Sequence, residues 1–215
     1  MIEKDKTYRI RNLVFDFGGV LVDLDRQRCI DQFKQLGAIG IGDMLSDYSK
    51  EGFFQDYEEG KITSMEFRDK LRKQAGRFIS DEDLDKAWCS FLVGIPTFKL
   101  DTLLRLREHY VVYLLSNTNQ IHWEWSCENL FPYKGFRAED YFEKIYLSFE
   151  MHDAKPSSSI FKRVLTDTDI LPEETLFLDD SQENCAVAES LRIHTKLVNP
   201  CEDWTIFFSK DGDNR

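Results

Sequence analysis

Four short stretches of this chain carry residue types that can do phosphate chemistry together. Asp16 is followed by Gly18 and Gly19. Ser116-Asn117-Thr118 ends a second stretch, Lys155-Pro156 forms a third, and the adjacent pair Asp179-Asp180 forms the fourth. A carboxylate can act as a nucleophile. Paired acids with one further acid offer the oxygen ligands that Mg²⁺, a hard cation, prefers. A hydroxyl and an ammonium group can hold phosphate oxygens. A lysine and a metal balance the charge that builds up on a transferring group. Any one of these residues would carry little; the order acid, hydroxyl, lysine, paired acids makes the pattern specific.

Each group lies at or just beyond the end of a segment that reads as a buried strand. Residues 10–17 (IRNLVFDF), 110–116 (YVVYLLS), 144–148 (KIYLS), 176–179 (LFLD) and 195–198 (TKLV) are short apolar runs, the pattern of parallel strands covered on both faces. Helical patterns separate the later runs. Residues 96–109 carry Leu100, Leu103, Leu104 and Leu106; residues 157–165 follow Pro156, a residue favoured at a first helical position; residues 181–191 follow the fourth run directly. This alternation predicts an α/β fold, a Rossmann-like, doubly wound parallel sheet with helices on both faces. In such sheets functional groups collect at the C-terminal ends of the strands.

Residues 26–94 read differently. They show no strand signal, but helical stretches at 28–36, 64–73 and 80–92, the last opened by Ser80 with Asp83 as a capping pair. The acids Asp81-Glu82-Asp83 suit the first turn of that helix rather than a metal site. The expected division is an α/β core of residues 1–25 and 95–215 and an inserted all-helical domain of residues 26–94. The last residues, SKDGDNR, read as a polar tail.

Composition narrows the partners. The chain has 215 residues, 28 Lys+Arg against 39 Asp+Glu and a net charge of −11. That balance disfavours nucleic acid and anionic membrane, both of which want a basic surface. Five scattered cysteines, none in a CxxC pair, argue against a disulfide framework or a zinc site. With no apolar leader in MIEKDKTYRIRN, the expected compartment is the cytoplasm. Monomer and homodimer are both compatible with the composition.

The four stretches, FDFGGVLVD, LLSN, KPSSSIF and FLDDSQEN, resemble the motifs of the haloacid dehalogenase (HAD) superfamily of hydrolases in order, over residues 15–184. LLSNTNQIHWEW and IYLSFEMHDAKP look closer still to its sugar-phosphate phosphatase branch, resembling glucose-1-phosphate phosphatases with a helical cap. The resemblance implies that the helical insert closes over the site and selects a small phosphorylated substrate. It implies Asp16 as a nucleophile that becomes an aspartyl-phosphate. Asp16, the Gly18 carbonyl, Asp180 and, directly or through water, Asp179 would hold Mg²⁺. Ser116 and the Asn117 backbone would hold the phosphoryl group, Lys155 would bridge phosphate and nucleophile, and Asn184 would orient the lysine or a metal-bound water.

One position departs from the family. Its phosphatases usually read Asp-x-Asp in the first motif, and the second Asp serves as general acid and base. Here that position is Gly18. An enzyme could lose that acid and still hydrolyse a reactive ester, and a sugar 1-phosphate, with its better leaving group, would suffer less than an ordinary alkyl phosphate; alternatively Asp23 or Asp25, close by in sequence, could supply the proton. His152, near the third motif, is expected to be structural or exposed, and Trp123 and Trp125 to be packing residues. Four other readings compete. A metal-free dehalogenase is disfavoured by the acid pair, and a mutase by the absent acid. A signalling receiver is disfavoured because its acid pair would come early in the chain. A catalytically silent binding protein is suggested by Gly18.

Overall fold

A computed structural model of the chain describes residues 9–46, 52–199 and 202–209. The polar tail after residue 209, the N-terminal eight residues and Cys201 lie outside the described residues.

The chain opens with β1 (Asn12–Phe15), a short β2 (Asp23–Leu24) and five helices, α1 (Arg26–Gln35), α2 (Ile39–Ser46), α3 (Phe53–Glu58), α4 (Ser64–Ala75) and α5 (Asp81–Cys89). After β3 (Leu92–Gly94) come α6 (Thr97–Leu106), β4 (Val111–Ser116), α7 (Gln120–Asn129), α8 (Ala138–Tyr141), β5 (Lys144–Leu147) and α9 (Ser148–Met151). The chain continues through α10 (Ser158–Thr168), β6 (Thr175–Asp179), α11 (Gln182–Ser190), β7 (His194–Leu197) and α12 (Thr205–Ser209).

All five strands expected from the apolar runs form one parallel sheet in the order β5-β4-β1-β6-β7. The period of two along each strand explains its two covered faces. Leu13, Phe15, Val112, Leu114, Leu176 and Leu178 enter one core cluster, where α6, α8 and α12 pack. Val14, Tyr113, Leu115 and Phe177 enter another, under α10 and α11. β1 is central, so whatever follows it meets the ends of β4 and β6.

Helices α1–α5 bury a separate cluster that includes Phe33, Phe54, Phe67, Leu71, Leu84 and Trp88. Local signals explain their starts. Asp25 caps α1 by accepting from the Arg28 N–H, Thr63 and Glu66 form a reciprocal capping box on α4, and Ser80 accepts from the Asp83 N–H on α5. Two expectations fail here. The segment is not free of strands, because Leu92–Gly94 pairs antiparallel with Asp23–Leu24 in a two-stranded ribbon joining the helical segment to the sheet unit. Three residues are too few to show a period. Pro156 is not a first helical residue: α10 starts at Ser158, and Pro156 follows a cis peptide bond with Lys155.

The helical segment is bound to α7 by buried polar contacts. Trp88 Nε1 donates to Asn119 Oδ1 at 3.2 Å, the Trp88 carbonyl meets His122 Nε2 at 3.1 Å, and the Tyr57 hydroxyl accepts from the Ile121 N–H at 3.1 Å. His122 stacks on Trp88 with ring centroids 4.6 Å apart, and burial pushes its imidazole down to about 4, so it is neutral. Trp123 packs edge-on against Phe17, and Trp125 is partly buried against both clusters, so both tryptophans are packing residues.

Buried Lys99 holds the loop after β1. Its Nζ donates to the carbonyls of Val20 at 2.9 Å and Leu21 at 3.3 Å and lies 3.3 Å from Asp23 Oδ1. Trp204 Nε1 donates to the same Val20 carbonyl at 2.9 Å. Removing one donor from buried acceptors costs roughly 1–3 kcal/mol. Lys99→Met should therefore lower unfolding free energy by about 1–3 kcal/mol in a urea titration. An unchanged midpoint would show that Lys99 does not hold the loop.

Candidate active site

The loop after β1 turns back at once. The Leu21 and Val22 N–H groups both donate to the Phe17 carbonyl at 2.9 Å, and the Gly19 N–H donates to the Val22 carbonyl at 2.9 Å. Gly19 has φ +75, and a Cβ there would sit 2.2 Å from Asp180 Oδ2. Position 19 therefore needs glycine for its backbone conformation and because the Asp180 carboxylate fills the space. Gly18 has another constraint: a Cβ there would lie 3.2 Å from Leu24 Cδ1.

Asp16 stands one residue past β1, and its N–H donates to the Leu178 carbonyl of β6 at 2.9 Å. At the centre of the site Lys155 Nζ donates to Asp16 Oδ1 at 2.7 Å, Asp179 Oδ2 at 2.7 Å and the Leu115 carbonyl at 2.9 Å. All three ammonium hydrogens are thereby used. The Asn117 side chain fixes the lysine's backbone: Nδ2 donates to the Lys155 carbonyl at 2.8 Å, and Oδ1 accepts from the Lys155 N–H at 2.9 Å. Asp179 Oδ1 accepts from Asn184 Nδ2 at 2.9 Å and from the Ser181 N–H at 2.8 Å.

The sequence-predicted residues thus converge. Asp16, Gly18, Asn117, Lys155, Asp180 and Asn184 line one cleft at the strand ends, with Gln55, Glu58 and Glu59 of the α3 region across from them. Asp179 and Ser116 are fully buried beneath it. Asn184 contacts Asp179, not the lysine. The expected substitutes for the acid at position 18 are not there. Asp25 is used as the cap of α1, Asp23 faces Lys99, and neither lines the cleft. Their nearness in sequence is undone by the turn at Gly19. His152 is exposed at the cleft, in a left-handed conformation, its Nδ1 3.3 Å from the Glu59 carbonyl.

The charges do not close. Two buried carboxylates share one ammonium, and Asp180 adds a third negative charge. One oxygen or other ligand atom from each of Asp16, Asp179 and Asp180 lies within 4.8 Å of the others. Burial, opposed by Lys155 and reinforced by Asp179, pushes the Asp16 carboxyl up to about 7. Burial works against the Lys155 ammonium, but the two carboxylates hold its pKa above the usual lysine value. Two buried polar atoms, Ser116 Oγ and Asn184 Oδ1, have no hydrogen-bond partner among the described residues. An all-oxygen donor set with excess negative charge fits a hard divalent cation, and the orphaned atoms fit its water or an anionic oxygen.

Lys99 and Glu58 were missed from sequence. Lys99 had a signal: Lys99, Thr102, Leu103 and Leu106 form one buried helical stripe, and a lysine within such a stripe needs partners. Glu58, in the acid-rich segment QDYEEG, had none.

The chain belongs to the haloacid dehalogenase-like hydrolases, whose family model matches residues 10–191. It is 40% identical, over 91% of its length and 95% of the relative's, to a D-ribitol-5-phosphate phosphatase of Bacteroides thetaiotaomicron. A HAD family enzyme from the same organism, solved as the wild-type protein with magnesium and inorganic phosphate, superposes with a TM-score of 0.89 at 54% identity, covering 93% of this chain and 99% of that one. A predicted HAD-like family hydrolase from Porphyromonas gingivalis superposes at 0.87 with 35% identity, covering 96% and 99%. Among the described residues no helix is long and apolar enough to cross a membrane.

A carboxyl raised from its ordinary value to about 7 binds a proton in the folded state that the unfolded chain has lost. Without metal, stability should fall as pH rises between roughly 4 and 7 and level off above that. In thermal melts the metal-free wild type should lose more stability than Asp16→Asn between pH 5 and 7.5, and Mg²⁺ should close the gap. Equal slopes in the two proteins would refute the charge imbalance.

Proposed function

We propose that the chain is a Mg²⁺-dependent phosphatase of small phosphorylated metabolites, with a sugar or polyol phosphate as substrate, working through an aspartyl-phosphate on Asp16. The observation that carries this is the set of three carboxylates around the buried ammonium of Lys155 at the strand ends. The named relative, a D-ribitol-5-phosphate phosphatase, supports the phosphate ester and the polyol. The neighbour holding magnesium and phosphate supports the metal and the bound anion.

Asp16, the Gly18 carbonyl, Asp179 and Asp180 would hold Mg²⁺, which when bound neutralises charge on the transferring phosphoryl group. Lys155 fixes Asp16 through Oδ1, leaving Oδ2 to attack phosphorus. Because Asp179 anchors the ammonium from the other side, Lys155 supplies positive charge to the phosphoryl oxygens without moving. The Ser116 hydroxyl and the Asn117 N–H donate to those oxygens, and Asn117 also holds the lysine's backbone in place. Asn184 keeps Asp179 oriented, and its otherwise unpartnered Oδ1 would be available to a metal-bound water.

Residues 26–94 act as the cap over a core of residues 1–25 and 95–215. Their separate hydrophobic cluster and the α3 residues facing the cleft support this. Leu24, Phe91 and Trp88 line an apolar cavity that shares Gly18, Leu24, Phe91 and Asn117 with the cleft, room for the non-phosphorylated part of a substrate. The four described cysteines are free thiols, which fits the cytoplasm. Each chain supplies a full set of site residues, so monomer and homodimer serve equally.

A panel of sugar, polyol and aryl phosphates, assayed with Mg²⁺ and with EDTA, tests the reading. Turnover should vanish with EDTA and fall by at least about 10³-fold in Asp16→Asn, as loss of a nucleophile requires. Turnover that survives in Asp16→Asn, or that needs no metal, would overturn it.

A further inference from the structure

The loop that would hold the phosphoryl group, Ser116-Asn117-Thr118, is anchored from three separate segments. The Asn117 side chain bonds both the N–H and the carbonyl of Lys155, at 2.9 and 2.8 Å. Just past the loop, Asn119 Oδ1 accepts from Trp88 Nε1 at 3.2 Å and from the His122 N–H at 3.1 Å. Between them stands buried Thr118, whose N–H belongs to the peptide that leaves Asn117. Whatever holds that planar peptide sets the backbone angles of Asn117, and with them the direction of its N–H.

Ser148 holds it. This serine is fully buried where β5 passes into α9, and it lines neither the cleft nor the apolar cavity. Its Oγ accepts from the Thr118 N–H at 3.0 Å, and lies 3.0 Å from the Thr118 carbonyl and 2.6 Å from the Glu58 carbonyl at the end of α3. A hydroxyl has one proton to give. The shorter contact makes the Glu58 carbonyl its acceptor. The backbone of the helical segment thus orients the hydroxyl, and the hydroxyl orients the Thr118 peptide.

This contact is part of a docked strip. Beside it the Glu59 carbonyl is 3.3 Å from His152 Nδ1. Gly60, at φ +65, lies so close to α9 that a Cβ would fall 2.1 Å from the Phe149 carbonyl oxygen. Residues 58–60 therefore lie along residues 148–152, the stretch that leads from β5 towards Lys155.

We propose that Ser148 is a positioning residue for phosphoryl transfer: through its hydroxyl, the docked end of α3 sets the Thr118 peptide, and so the Asn117 N–H, against the phosphoryl oxygens. The role rests on the phosphatase reading. It implies a selective fault. Loss of the hydroxyl loosens the hold on phosphate and leaves the carboxylates that would bind Mg²⁺ as they are.

Inorganic phosphate, used to inhibit 4-nitrophenyl phosphate turnover at saturating Mg²⁺, probes that hold. Ser148→Ala should raise the phosphate inhibition constant about tenfold and lower kcat by about 10- to 10²-fold, the scale of a small misplacement, with Mg²⁺ affinity changed by less than about twofold. Thr175→Val is the control for a lost buried hydroxyl. Thr175 Oγ1 donates to the Leu171 carbonyl at 2.8 Å, at the end of β6 far from the site. Its removal should cost stability yet move phosphate inhibition by less than about twofold. Gly60→Ala keeps the Ser148 hydroxyl but undocks α3. It should weaken phosphate as Ser148→Ala does, and the double variant should lose no more than the worse single one. If Ser148→Ala does not fold, Ser148→Cys, a weaker donor and acceptor, gives the same comparison. Unchanged phosphate inhibition in Ser148→Ala, equal shifts in Ser148→Ala and Thr175→Val, or additive losses in the double variant would overturn the role of Ser148. Absence of metal-dependent turnover in the wild type, or turnover that persists in Asp16→Asn, would instead remove the phosphatase reading, and this role with it.

Discussion

The ammonium of Lys155 is the constraint on which the site depends. It is buried between Asp16 and Asp179, 2.7 Å from each. A buried charge is tolerated only when it is paired and fully hydrogen-bonded. Here the third donor goes to the Leu115 carbonyl at the end of β4. One side chain thus ties together the ends of β1, β4 and β6 and the loop beyond β5. The parallel sheet order places those ends side by side, and each strand is an apolar run that stops at the polar residue the site needs.

The same lysine leaves a charge unpaid. Asp16, Asp179 and Asp180 carry more negative charge than one ammonium neutralises, so the metal-free site favours protonation of Asp16. The trio is organised by backbone packing at Gly19, where Asp180 fills the space a Cβ would take, and by Asn184, which holds Asp179. The imbalance also changes what a net charge of −11 means. A phosphate ester meets a locally balanced site once the ion is bound, whatever the sign of the surface around it. A metal-free dehalogenase would leave this trio uncompensated in front of an anionic substrate.

Much of this was legible in the chain. Buried strands announce themselves as apolar runs, so IRNLVFDF, YVVYLLS and LFLD marked β1, β4 and β6, and the polar residue closing each run marked the site. What was not legible depends on contacts between distant segments. Leu92–Gly94 is a strand only because Asp23–Leu24 is beside it. Asp25 looked like a spare acid because sequence distance ignores the turn at Gly19 that carries it away to cap α1. Glu58 lies in a segment with no motif, and its place at the cleft follows from the docking of α3 on Ser148 and Phe149. Such docking contacts join residues about 90 positions apart.

The central claim is that the carboxylate trio around Lys155 is built for one divalent cation. Calorimetric titration of Mg²⁺ into metal-free protein tests it most directly. The account predicts one saturable ion per chain, with affinity lowered at least about tenfold in Asp180→Asn, a substitution that leaves the lysine's partners intact. Absence of saturable binding to the wild type, or equal affinity in Asp180→Asn, would contradict it.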